Sequence, residues 1–415
     1  MTGALDDVKE EPPVRARAVA AGQEAHARRA PLGLWTRAAA RWAAVSLVLT
    51  LVFVIYTRHP YWQGGLFAPW RPVYRGVFVV WLALGLPYMA AALRRFPERR
   101  LWFTDIGLHL LLLGQGIVAA LDPRVPKGSK KRRRSLHIWK NRRITNTLRS
   151  MGVKFFFTPL MVSFLSGHLN SVSNAWLRRK ALEPLLFPAT ATVQEWWAAV
   201  SQKLPALLPN GSDLASLLSP HRWSALDVRW GLDVAYDLVF ITDCGVAVLG
   251  YMTESRFLGN KTRSAEPTGF GWLVAVTCYP PFNNVLGTYL PINGGSAIIR
   301  SETWLLVLKA GIVLLFAIYA SATVSFGLKF SNLTNRGIIT RGPYRFIRHP
   351  AYVCKCIAWW LERLPNLTPE SAFFLACTCG WYGLRAWTEE RHLSQDPDYV
   401  AYKKKVPWKA IPGVW

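Results

Sequence analysis

Arg385, Glu389 and Glu390 fall in one polar run, R-A-W-T-E-E-R-H-L over 385–393, at the end of a long apolar stretch. Residues four apart share a helix face, so Arg385 and Glu389 belong to one side of a helix, with Arg385 one turn deeper. A carboxylate pair at a helix end can accept charge-assisted hydrogen bonds from ammonium or hydroxyl groups. A cation set one turn inside an apolar segment requires a snorkelling path, an ion-pair partner or a ligand. Upstream, Tyr344, His349, Pro350 and Tyr352 stand close together in P-Y-R-F-I-R-H-P-A-Y. They offer an aromatic and imidazole surface suited to a purine ring or a cationic ligand.

The elements that must position these groups are membrane helices. The chain has 415 residues, of which 51% are hydrophobic, yet Lys and Arg number 50 against 24 Asp and Glu, a net charge of +26. A mean hydropathy of +0.15 excludes an ordinary soluble basic protein, and 20 Trp, 20 Phe and 14 Tyr exclude a disordered one. Apolar runs at 41–57, 77–93, 103–121, 151–169, 230–252, 270–290 and 304–326, separated by Arg-rich loops, predict a multi-pass integral membrane protein. Runs at 352–364 and 371–388, joined by Leu364-Pro365-Asn366, predict a C-terminal helical hairpin. The fold class is therefore all-α, a polytopic transmembrane bundle with a C-terminal helical hairpin.

Three regions are expected: a disordered basic, Ala-rich tail at 1–40, without the pattern of a cleaved signal peptide; an N-terminal membrane region at 41–229; and a C-terminal membrane core at 230–415. The second region contains a polybasic loop at 122–150 and a Pro-rich extramembrane insertion at 170–229. K-K-R-R-R at 130–134 also fits a nucleic-acid patch, but beside a spanning helix it reads as a cytoplasmic anchor that attracts anionic membrane lipids, so no nucleic-acid partner is expected. Strict alternation from that loop places 327–348 and the C-terminal tail in the cytoplasm; the basic loop at 94–100 breaks the rule or marks an early segment that does not span.

Two features lie upstream of the hairpin. Asp233 and Asp237 share a face at i, i+4 spacing within an apolar run that also holds Asp243. Carboxylates at that depth need a partner: a counter-charge for Arg385, a cationic headgroup and a structural ion pair all stay open. Tyr279-Pro280-Pro281-Phe282-Asn283-Asn284 must interrupt its helix, and broken backbone in a membrane lines protein or a cavity, which makes Asn283 and Asn284 candidates for a substrate-contacting wall. The six Cys all lie in or beside apolar segments; Cys-x-Cys pairs on a helix point to opposite faces, and no metal site is expected.

Taken in order, R-H-P-x-Y at 348–352, E-E-x-x-L at 389–393 and Y-x-x-Y-K-K-x-V-P at 399–407 resemble the C-terminal signature of the integral-membrane methyltransferases typified by isoprenylcysteine carboxyl methyltransferase, a superfamily that includes phospholipid methyltransferases. The resemblance implies S-adenosyl-L-methionine as cofactor, bound in a pocket on the cytoplasmic side of a methyltransferase-like catalytic core at 230–415. It places Tyr344, His349, Pro350, Tyr352, Glu389 and Glu390 at cofactor-binding positions, with Glu389 the leading carboxylate. Arg336, Gly337, Ile338 and Ile339 match a stretch that borders the cofactor through backbone groups. Arg385 matches an Arg that contacts the substrate carboxylate, a task suited to the guanidinium fork. The acceptor implied is a lipid or a lipidated molecule, with a carboxylate preferred over an amine.

The chain departs from the pattern where R-H-P-x-Y-x-G would put Gly: Cys354 stands there, followed by Lys355. Methyl transfer from a sulfonium needs positioning and a charge-matched pocket, with no protein nucleophile. The alternative is an NADPH-dependent membrane reductase of the sterol reductase type, which shares an R-H-P-x-Y-like stretch and an ending like Val406-Pro407-Trp408. The sequence carries no indication of oligomeric state.

Overall fold

Long apolar runs fold as helices because each backbone group is satisfied within its own segment, and the capping residues here mark where the runs stop. The computed structural model describes residues 30–95, 102–122, 124, 141–180, 225–255 and 257–413. Residues 1–29 of the expected tail, most of the polybasic loop and most of the Pro-rich insertion lie outside the described residues, whereas 30–40, expected to be disordered with the rest of the tail, belong to the first helix, whose apolar run they extend toward the N-terminus. The α-helices of eight residues or more, among the described residues, are α1 (Ala30–Arg58), α2 (Trp70–Arg95), α3 (Trp102–Leu121), α4 (Arg142–Lys180), α5 (Ala225–Met252), α6 (Gly269–Val276), α7 (Phe282–Tyr289), α8 (Glu302–Phe326), α9 (Pro350–Arg363), α10 (Pro369–Leu393) and α11 (Pro397–Lys405). Strands are confined, among the described residues, to a two-residue antiparallel pair, β1 (Ser264–Ala265) with β2 (Thr334–Asn335). The architecture is the all-α polytopic bundle expected. Gly33–Arg58, Trp70–Arg95, Arg142–Ala175 and Glu302–Lys329 are long and apolar enough to cross a bilayer.

The chain divides into two compact units. The first, residues 1–55 and 74–145, is knit by aromatic and small-residue packing: Phe53 stacks on Phe78 with ring centroids 4.7 Å apart, and the Trp81 indole donates to Ser46 Oγ at 3.0 Å.

The second unit, residues 56–73 and 146–415, holds the C-terminal motifs. In it α8 packs between α5 and α9, and α6 packs on α10. Close approach explains Gly250 on α5, where a Cβ would come within 2.5 Å of the Phe330 carbonyl oxygen. The run at 270–290 is divided, as the consecutive prolines require: α6 stops at Val276 and α7 starts at Phe282. The hairpin is present as α9, the turn Leu364–Asn366 and α10. A capping box starts α10: Thr368 Oγ1 accepts from Ser371 N at 3.1 Å and Ser371 Oγ accepts from Thr368 N at 2.9 Å, with Pro369 in the first turn. The hairpin tip is strapped to the loop before α8 by Gly295 N to Asn366 O at 2.8 Å and Ile298 N to Pro365 O at 2.7 Å.

At the opposite end of α8 and α10 the backbone turns irregular and is tied down. The β1–β2 pair is extended by Arg263 N to Asn335 O at 2.7 Å and Glu266 N to Leu333 O at 2.8 Å. Gly337 follows at φ +111°, a conformation that L side chains rarely adopt, so the chain can reverse there toward α9. The C-terminal tail then returns, with Arg348 N donating to Trp408 O and His349 N to Lys409 O, each at 3.0 Å.

Candidate active site

The Y-V-A-Y-K-K-K-V-P motif builds one wall. Tyr399 and Tyr402 on α11 pack with Val406 against Ile338, Tyr344 and Leu393, and the Tyr402 hydroxyl donates to the Tyr344 carbonyl at 2.6 Å. Asp396 fixes this helix: it caps α11 by accepting from Asp398 N at 3.0 Å and also accepts from Asn335 Nδ2 at 2.7 Å and Arg263 Nη1 at 3.0 Å. Burial opposes its charge, but the Asn335, Asp398 N–H and Arg263 hydrogen bonds hold its pKa below the usual Asp value.

Between this wall and the helices lies a cavity of about 120 Å³. Of the residues expected at the cofactor, Arg336, Gly337, Ile338, Ile339, Tyr344, His349, Tyr352 and Glu389 line it, and so does Arg385. The i, i+4 spacing on α10 does bring Arg385 and Glu389 to one cavity. Glu389 Oε2 accepts from the Tyr352 hydroxyl at 2.8 Å, and the Tyr352 and His349 rings stack with centroids 5.6 Å apart.

Glu390 and Pro350 are outside the lining. Pro350 opens α9 as its first residue. Glu390 turns to the other side of α10, where its Oε1 meets His349 Nε2 at 3.1 Å and Arg348 Nε at 3.1 Å. Burial raises the cost of its charge, yet the His349 bond and the Arg348 cation hold its pKa below the ordinary value. Its geometry sets the angle of the His349 ring.

Arg336 reaches the cavity through its backbone segment while its side chain is buried among protein groups: Nη1 donates to the Gly250 carbonyl and Nη2 lies 3.6 Å from Glu254 Oε2. Glu254 also meets Lys154 Nζ of α4 at 2.9 Å. Glu254 and Arg336 are almost completely buried. Burial works against the Glu254 charge, but the Lys154 and Arg336 cations keep its pKa below normal. Behind α10, Glu266 anchors the helix end through Arg391 Nη2 at 2.9 Å, and burial pushes the nearby His392 pKa down.

Arg385, only 6% exposed, donates through Nη2 to Asn332 Oδ1 at 3.0 Å, and its guanidinium carbon lies 5.4, 5.3 and 5.9 Å from the ring centres of Tyr279, Tyr352 and Tyr382. The acidic cluster does not answer it. Asp233 pairs with Lys309 of α8, Asp237 takes His168 Nδ1 at 2.7 Å and Ser171 Oγ at 2.5 Å from α4, and Asp243 accepts from Thr323. Asp233, Asp237, Asn283 and Asn284 are not part of the cavity wall; both Asn lie exposed on α7.

Sequence reasoning missed Asn332, Lys355, Tyr319 and Tyr382, which line the cavity with Tyr279. Tyr279 stands at the broken helix whose backbone pointed to a wall. Lys355 follows the departure at Cys354.

No curated protein and no solved structure matches the chain. Residues 304–395, which run from the start of α8 to just beyond α10, match the model of the Isoprenylcysteine carboxyl methyltransferase (ICMT) family, and this C-terminal match supports a membrane methyltransferase.

Proposed function

We propose that the protein transfers a methyl group from S-adenosyl-L-methionine to the carboxylate of a lipophilic acceptor. The observation that carries this reading is one cavity lined both by Glu389 with the Tyr352–His349 stack and by Arg385, whose hydrogen-bond and ring partners are neutral. The donor set suits the cofactor: a carboxylate for hydroxyls or an ammonium, aromatic faces for a purine and a sulfonium, and the segment 336–339 along the cavity wall. S-adenosylmethionine, when bound, supplies an electrophilic methyl group on a positively charged sulfur.

The chain's own residues then have separable tasks. Arg385 holds an acceptor carboxylate, with Asn332 fixing the plane of the fork. An acceptor acid is already ionised near neutral pH, so no general base is required. Tyr279, Tyr352 and Tyr382 surround the guanidinium and restrict water around it, which strengthens its hold on an anion. A lipidated acceptor presents its apolar part to the bilayer and its acid to this cavity, which alternation of the later spans puts on the cytoplasmic side.

Calorimetry with detergent-purified protein tests the reading. S-adenosylhomocysteine is expected to bind and raise the melting temperature, and a long-chain thioether acid is expected to accept the methyl group. Stabilisation by NADPH with no response to either adenosyl ligand overturns it in favour of a reductase.

A further inference from the structure

The cavity holds two cations. Lys355 of α9 lines it together with Arg385 of α10, and both stand over the Tyr382 ring, whose centre is 5.2 Å from Lys355 Nζ and 5.9 Å from the Arg385 guanidinium carbon. Trp359 covers Lys355 from another side, also at 5.2 Å. Among the described residues no carboxylate stands at ion-pair distance from either cation. The acids of the neighbourhood are engaged elsewhere: Asp237 with His168 and Ser171, Asp243 with Thr323, Glu389 with Tyr352, and Glu390 with His349 and Arg348. Asp243 is the acid whose field reaches Lys355.

Two like charges in one water-poor cavity repel, and aromatic faces compensate them only in part. One bound carboxylate would answer one cation. A methyl transfer to an acid brings more than one: the amino-acid end of the cofactor carries an α-carboxylate, and the acceptor carries its own. We infer that Lys355 holds a second carboxylate in the cavity, beside the one held by Arg385. This rests on the methyltransferase reading and deepens it. The second carboxylate has two sources, the α-carboxylate of the cofactor or a second acid group on the acceptor. Lys355 is in either case a specificity-determining residue, because a ligand without that group leaves its ammonium with the Tyr382 side chain and no paired carboxylate.

The test uses full-length protein as wild type, Lys355→Met and Lys355→Arg. Calorimetry compares S-adenosylhomocysteine with its decarboxylated analogue, and turnover compares dodecylthioacetic acid with dodecylthiosuccinic acid, which has one more carboxyl. If the cofactor is the source, wild type prefers S-adenosylhomocysteine over the analogue by about tenfold or more, the strength of a charged hydrogen bond. Lys355→Met then erases the preference and Lys355→Arg restores it. If the acceptor is the source, the same pattern appears in the ratio of kcat/KM for the diacid and the monoacid. The inference is overturned if Lys355→Met keeps both ratios at wild-type values. It is equally overturned if wild type shows neither preference, which settles the matter even where Lys355→Met fails to fold. A wild-type protein that binds no adenosyl ligand at all overturns the methyltransferase reading itself, and Lys355 with it.

Discussion

Arg385 and Glu389 occupy adjacent turns of one helix face and make different bonds, so substitutions there should separate two readouts. Among the described residues no acid stands at ion-pair distance from Arg385, and Arg385→Lys keeps the charge while losing the fork that meets Asn332. Turnover on a lipophilic acid should fall about 10²-fold, the cost of an acceptor displaced by about 1 Å, while affinity for S-adenosylhomocysteine persists; full turnover would refute bidentate recognition. Glu389→Ala should do the reverse, weakening S-adenosylhomocysteine about ten- to a hundredfold by calorimetry, as the loss of a charged hydrogen bond predicts. The spacing of these two residues was legible because helical periodicity alone brings i and i+4 together. Lys355, Asn332 and Tyr382 were not, since their meeting depends on how α8, α9 and α10 pack. Asp233 and Asp237 announced only that they needed partners. Those partners, Lys309 and His168, lie on other helices, which charge spacing within one segment does not reveal.

At the scale of elements, the floor of the cavity depends on a buried ion network that joins α4, the loop after α5 and the segment after β2. Glu254→Gln would leave Lys154 and Arg336 as buried cations without their acid, a loss of roughly 3–5 kcal/mol, seen as a lower melting temperature with or without cofactor. Protonation should act in the same direction. Glu254, Glu390 and Asp396 all have folded-state pKa values depressed below the unfolded ones. Their stabilisation is therefore complete above the unfolded carboxylate range, near pH 4 to 4.5, and is lost as the pH falls through the lower folded values. A melting temperature that stays flat from pH 6 down to pH 3 would contradict this. The helices themselves were legible from apolar run length, the hairpin from Leu364-Pro365-Asn366 and the divided helix from Pro280-Pro281. The β1–β2 clamp was not, because two-residue strands carry no alternation to read.

For the whole molecule, the strap from Gly295 to Asn366 and the clamp around Asn335 mark opposite ends of α8 and α10, which gives the orientation a direct check. On a background without the six native Cys, cysteines replacing Ser296 and Lys404 in sealed vesicles should label from opposite faces, Lys404 from the cytoplasmic one. Labelling of both from one face would break the alternation on which the cytoplasmic placement of the cavity rests. The clamp also reaches beyond the matched segment. The matched segment, 304–395, contributes Arg336, Arg385 and Glu389, but the acid that neutralises Arg336 comes from 254, its second cation from 154, and the strand that aligns 334–335 from 264–265. The stretch that matches the family model is thus shorter than the stretch that must fold together. A variant chain that altered Arg336 would be expected to need a change of Glu254 in step, so that substitutions at these two positions travel as pairs even though only one of them lies in the matched segment.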